Sequence, residues 1–194
     1  MGHLIRKDFR LLRSPLVLLV AAGLGFMMSL IPQPVIYVGP LMGLYLGLSV
    51  DWAEVGENRA VFVNSLPVER KKVVQTKYVE GLILAVVGNA TALLLKFVAN
   101  MVIDSTSFSY TYIDFFVGVG ITLLILAFYF PFQTAFGPTA IFVMFTAAIM
   151  LLNPFIYYLG KISYSRVVIM VFIFALAYVC SYFPALRIYR KKDF

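Results

Sequence analysis

Residues 51–78 read DWAEVGENRAVFVNSLPVERKKVVQTKY, the longest polar interruption in a sequence otherwise dominated by apolar runs. The stretch holds five of the 16 basic residues (Arg59, Arg70, Lys71, Lys72 and Lys77) and the only tryptophan, Trp52. Asp51, Glu54, Glu57 and Glu69 lie inside it, and Glu80 stands just beyond. On a helical projection Trp52, Val55, Phe62, Val63 and Leu66 share one face with Arg59 among them, while Glu54, Glu57, Asn58, Asn64 and Ser65 lie opposite. That pattern predicts a short helix parallel to the membrane, its apolar side towards lipid and its polar side towards water. Pro67 ends it, because proline interrupts the hydrogen-bond ladder and restricts the residue before it. A loop this charged, between apolar segments joined elsewhere by a few residues, points to a cytosolic protein partner.

The flanking chain fixes the class. It has 194 residues, 62% of them hydrophobic and 13% charged, with mean hydropathy +0.93. Soluble domains carry roughly a quarter charged residues, so this chain lacks the polar surface to cover a soluble globule. Repeated apolar runs of roughly 20 residues mark membrane spans. The expected fold class is all-α: a polytopic membrane protein forming one transmembrane domain over 1–194, with six transmembrane helices.

In chain order, HLIRKDFRLLR (3–13) sets Leu4, Ile5, Phe9, Leu11 and Leu12 against Arg6, Lys7, Arg10 and Arg13. This predicts an interfacial helix over 3–14. Span one, 15–31, follows a basic start without a small-x-small cleavage site, so it reads as an uncleaved span. Span two, 35–50, carries Gly39, Gly43 and Gly47 four apart on one face, a spacing that lets helix backbones approach, whether within the chain or across a subunit interface. The loop of 51–70 comes next. Span three covers 73–100, with Lys77 and Lys96 separated by about 28 Å of helix, so Lys96 is expected to snorkel to the outer face. Asn89 and Thr91 are expected to bond across helices. Span four is 114–130, and FQTAFGP (132–138), framed by Pro131 and Gly137-Pro138, reads as a turn or a re-entrant element. Span five is 139–152, NPFIYYLGKISYS (153–165) is an outer interfacial or re-entrant segment, and span six is 166–186 before a basic tail.

Charge sets the orientation. The proposed inner segments carry thirteen basic residues, the outer ones only Lys161 and Arg166. The positive-inside rule then places both termini in the cytoplasm. The net charge of +7 is accounted for by topology and anionic lipid, so nucleic acid is not an expected partner. A single Cys180 and a single His3 argue against an internal disulfide or a metal site. There is no G-x-x-x-x-G-K-[ST] phosphate loop, no G-x-S-x-G elbow and no H-E-x-x-H pair. Glu80 and Asp114 lie near expected span ends rather than paired at the midplane, which weighs against an intramembrane enzyme or a proton-coupled carrier.

The chain resembles the membrane subunit of ABC-2 type transporters, bacterial permeases that pair with a separately encoded ATPase. The likeness rests on the basic amphipathic start, on the acidic inner loop running through SLPVERKKVVQTKY (65–78) into span three, and on the Ser/Tyr-rich end of span six, SYFPALRIYRKKDF (181–194). The resemblance implies that the loop after span two is a coupling helix docked on the ATPase. Glu54, Glu57, Asn58 and Arg59 would lie in that helix, Ser65, Leu66, Pro67 and Val68 would form the turn back to the membrane, and Arg70 and Lys77 would flank it. It implies an exporter of peptides, lipids or drugs in the bacterial cell (inner) membrane. It further implies a second permease subunit, as homo- or heterodimer, no cofactor in this chain, and ATP and Mg bound by the partner. The short segment between spans five and six departs from members with a large outer gate. The alternative from a different class is a non-enzymatic assembly or channel-forming protein whose 51–78 loop binds another cytosolic partner.

Overall fold

A computed structural model describes residues 35–56, 69–103, 112–137, 143, 146, 147, 150 and 164–191. These residues form four helices: α1 (Val35–Gly56), α2 (Arg70–Ile103), α3 (Tyr112–Phe136) and α4 (Tyr164–Lys191). Among the described residues, stretches of α2, α3 and α4 are long and apolar enough to cross a membrane, and α1 contributes a shorter apolar stretch, Val38–Ser49. The 34 residues of α2 reach about 51 Å at the standard rise, more than the hydrocarbon thickness, so its charged first turns project beyond the apolar zone. Helices are the expected solution, since a backbone in lipid must satisfy its own polar groups.

α3 is the most enclosed span and α4 the least. The largest buried cluster joins Leu44 and Leu48 of α1, Val74 and Tyr78 of α2, Leu123, Leu126 and Phe130 of α3, and Tyr178 and Ala185 of α4. A second cluster, with Val38, Met42, Leu84 and Ala92, closes the α1–α2 seam. A third, with Val117, Ile121, Val167 and Phe174, closes the α3–α4 seam.

Several expectations change. Residues 51–56 were expected to begin a separate interfacial helix; instead α1 continues through them to Gly56. Nothing between Gly47 and Gly56 breaks the ladder, and Ser49 Oγ donates to the Leu46 carbonyl at 2.8 Å inside it. Pro131 was expected to open a turn, but it lies within α3. A proline forfeits its own donor, and a membrane helix tolerates that where neighbours and side chains compensate. One turn on, Thr134 Oγ1 donates to the Pro131 carbonyl at 2.7 Å, a local bond that does not replace the donor Pro131 lacks. The stop is Gly137, whose φ of 70° lies in the left-handed region and whose amide donates to the Gln133 carbonyl at 2.8 Å. α4 also runs past its expected end at 186, so the basic tail is helical as far as Lys191.

The expected interfacial helix at 3–14, span one, the segment 57–68 and residues 153–163 lie outside the described residues, while Tyr164 and Ser165, expected to close the 153–165 element, open α4. Within expected span five, positions 143, 146, 147 and 150 are helical.

Candidate functional site

The loop that organises the sequence runs from the end of α1 to the start of α2. Glu54 lies in the last turns of α1, and Arg70 opens α2. Glu57, Asn58, Arg59, Ser65, Leu66, Pro67 and Val68 lie outside the described residues. At the start of α2 the Glu69 carbonyl accepts from the Lys72 amide at 2.8 Å, and the Lys72 ammonium sits 3.3 Å from the Glu69 carboxylate. Both side chains are exposed, so this pair stabilises the first turn only slightly.

α2 is tied to α4 just beyond that end. Arg70 Nη1 donates to the Arg190 carbonyl at 2.8 Å, joining residues far apart in sequence. About two turns further along α2, Tyr178 donates its hydroxyl to the Tyr78 carbonyl at 2.5 Å, and the Tyr78 and Ser181 hydroxyls share a 3.0 Å hydrogen bond. The Tyr78 ring sits 4.9 Å from Phe130, 5.1 Å from Tyr178 and 5.5 Å from Tyr182, the last edge to face. Such tilted and edge contacts are favoured by the ring quadrupoles. Glu80, expected near a span end, is buried beside this cluster and interacts electrostatically with Tyr178. It stands ten residues into α2, about 15 Å along its axis.

The second built feature is the crossing of α1 over α2 and α3. Asn89 is 2% exposed and Thr122 fully buried. Asn89 Nδ2 donates to Thr122 Oγ1 at 3.1 Å and to the Ala85 carbonyl at 2.8 Å. Its carboxamide fills the space that a side chain on either Gly39 or Gly118 would need. Gly43 faces Thr122, with a built Cβ 2.9 Å from the Thr122 methyl, and Gly47 faces Leu126 at 3.9 Å. A Cβ on Gly88 would lie 2.5 Å from the Gly43 nitrogen, so α1 and α2 touch backbone to backbone. Thus Gly39, Gly43 and Gly47 face α2 and α3 of the same chain. Asn89 bonds across helices as expected; Thr91 instead donates to the Val87 carbonyl of its own helix at 2.8 Å.

Lys96 does not reach out to the surface as expected: it is 5% exposed, packed inside the protein and engaged with neighbours, while Asp114 is half-buried and also engaged. The antiparallel register set by Asn89, Thr122 and Gly118 carries both charges to the same end of the α2–α3 pair. Among the described residues no group of His, Cys, Asp or Glu could hold a metal ion.

These features define a helical, multi-pass membrane protein whose tight inter-helix seams are built from glycines, tyrosines and one buried amide. The model of the ABC-2 family transporter proteins matches residues 3–190, nearly the whole chain, so the chain belongs to that family. The family makes it the membrane subunit of an ABC transporter, with ATP hydrolysis assigned to an ABC ATPase partner. No curated protein and no solved structure matches it.

Proposed function

We propose that the chain is the permease half of an ATP-driven exporter that moves an amphipathic or hydrophobic substrate (a peptide, lipid or drug) out of the cell. The family match over residues 3–190 carries this reading. The mostly apolar spans, whose exposed side chains are large hydrophobics, suit a cargo that partitions from lipid. A second permease subunit, identical or not, completes the pathway. Because the Gly39, Gly43 and Gly47 face is taken up within the chain, that subunit would meet a different surface. The excess of basic residues in the proposed inner segments supports a bacterial cell membrane location with both termini cytoplasmic.

In this reading Glu54, Glu57, Asn58 and Arg59 dock on the ATPase, and Ser65 to Val68 return the chain to the membrane. The ATPase supplies ATP and Mg; this chain holds no cofactor. The unbroken helix from Val35 to Gly56 supports a lever role, since a continuous rod carries displacement at its tip into the bundle. The α2–α4 tie at Arg70, Tyr78 and Tyr178 would spread that displacement to α4. Transmission requires that the loop make different contacts in the two ATPase states.

The test is reconstitution with its ABC ATPase in vesicles, following a fluorescent hydrophobic peptide. The exporter predicts ATP-dependent movement that stops when the ATPase is left out. Ion conductance by the chain alone, without ATP, would instead identify the channel-forming alternative.

A further inference from the structure

From the surface of α2 and α4 we infer a binding site for anionic phospholipid, its phosphate held on a cationic rim and its acyl chain laid along α4. α4 presents one continuous exposed stripe at helical spacing. Phe172, Leu176, Val179 and Phe183 are 65%, 48%, 60% and 67% exposed, and the same face then ends in exposed Arg187 and Arg190. Successive members are three or four residues apart and so lie one above another on the helix. From Phe172 to Phe183 the apolar part spans about 17 Å, comparable to one leaflet of the hydrocarbon core. Apolar length followed by cationic charge at one end is the inverse image of an anionic lipid.

The rim is wider than α4. Arg70 Nη1 bonds the Arg190 carbonyl at 2.8 Å, which joins the C-terminal turn of α4 to the N-terminal turn of α2. α2 brings exposed Lys71 and Lys72 there, and Lys191 is exposed beside Arg190. The first turn of α2 also directs the positive end of its helix dipole to this rim, favourable for a phosphate. Below Lys71 and Lys72, Val79 and Leu82 on α2 are 41% and 46% exposed, so apolar surface again begins under the charge. An acidic protein surface would need the cations but would leave the apolar stripe unused; a phospholipid uses both.

The proposal is independent of the transport reading, and its test needs neither ATPase nor ATP. The full chain is reconstituted in equimolar phosphatidylcholine and phosphatidylglycerol and re-extracted in mild detergent. The lipid that stays bound is quantified by mass spectrometry. Phosphatidylglycerol should be enriched several-fold in the wild type. Arg187→Gln with Arg190→Gln should abolish that enrichment, bringing bound phosphatidylglycerol to its share of the bilayer, and Arg187→Lys with Arg190→Lys should keep it. Lys71→Gln with Lys72→Gln gives the same reading should the first pair fail to fold as a monodisperse protein. Equal enrichment in wild type and both glutamine pairs would overturn the site. So would displacement of the lipid by equimolar inorganic phosphate, which would show that the apolar stripe contributes nothing.

Discussion

Replacing Gly88 with alanine puts one methyl group where α1 and α2 meet backbone to backbone. That carbon would stand 2.5 Å from the Gly43 nitrogen and 2.9 Å from the Met42 carbonyl carbon. Non-bonded atoms settle at about 3.5–4.0 Å, so the helices must separate by about 1 Å. Neither obstructing atom belongs to a flexible side chain, so rotamer change cannot relieve the clash. Separation loosens the seam that also holds Asn89 between Gly39 and Gly118. Overpacking of a tight core costs about 1–3 kcal/mol, and a rigid backbone clash belongs at the upper end. Alanine's better helix propensity returns at most about 1 kcal/mol. Gly88→Ala should therefore destabilise the protein by about 2 kcal/mol net. Gly47→Ala, whose methyl meets only the Leu126 side chain at 3.9 Å, is the internal control, expected between neutral and stabilising by about 1 kcal/mol. Unfolding of the detergent-solubilised protein by sodium dodecyl sulfate, followed by circular dichroism, reads both. Equal midpoints for the two variants would refute the assignment of α1–α2 contact to Gly43 and Gly88.

Further outcomes follow from the other seams. Tyr178→Phe deletes the bond to the Tyr78 carbonyl while keeping the ring contacts, and should cost about 1 kcal/mol in the same titration. Asn89→Ala removes the cross-helix bond to Thr122 and empties the pocket between two glycines; the expected loss is about 1–2 kcal/mol, and an unchanged midpoint would contradict the seam. Gly137→Ala forces a side chain into a left-handed backbone and should cost about 1 kcal/mol, although no atom lies within 4 Å of the added methyl.

The helical class, the membrane setting and the family were legible because apolar run length and the SLPVERKKVVQTKY motif are local properties of the chain. The pairing of Asn89 with Thr122 was half legible: a mid-span amide demands a partner, but the partner's identity depends on the α2–α3 register. The places where the reading fell short share one cause. Pro131 and Lys96 were assigned from the usual behaviour of their residue types, and the folded protein departs from it. Pro131 sits within α3, which continues to Phe136, and Lys96 is buried with partners inside the protein. The tyrosine cluster escaped notice although Tyr178, Ser181 and Tyr182 stand at helical spacing on one face of α4. Its meaning appears only when Tyr78 arrives from a distant segment.

The coupling role of the 51–78 stretch is tested most directly by co-purification of the ABC ATPase with the wild-type chain and with Glu57→Lys, alongside peptide-stimulated ATP turnover in vesicles. Glu57→Lys should leave the chain folded and inserted, and should lose both ATPase capture and stimulation. Capture and stimulation equal to wild type would contradict the placement of the ATPase on this loop.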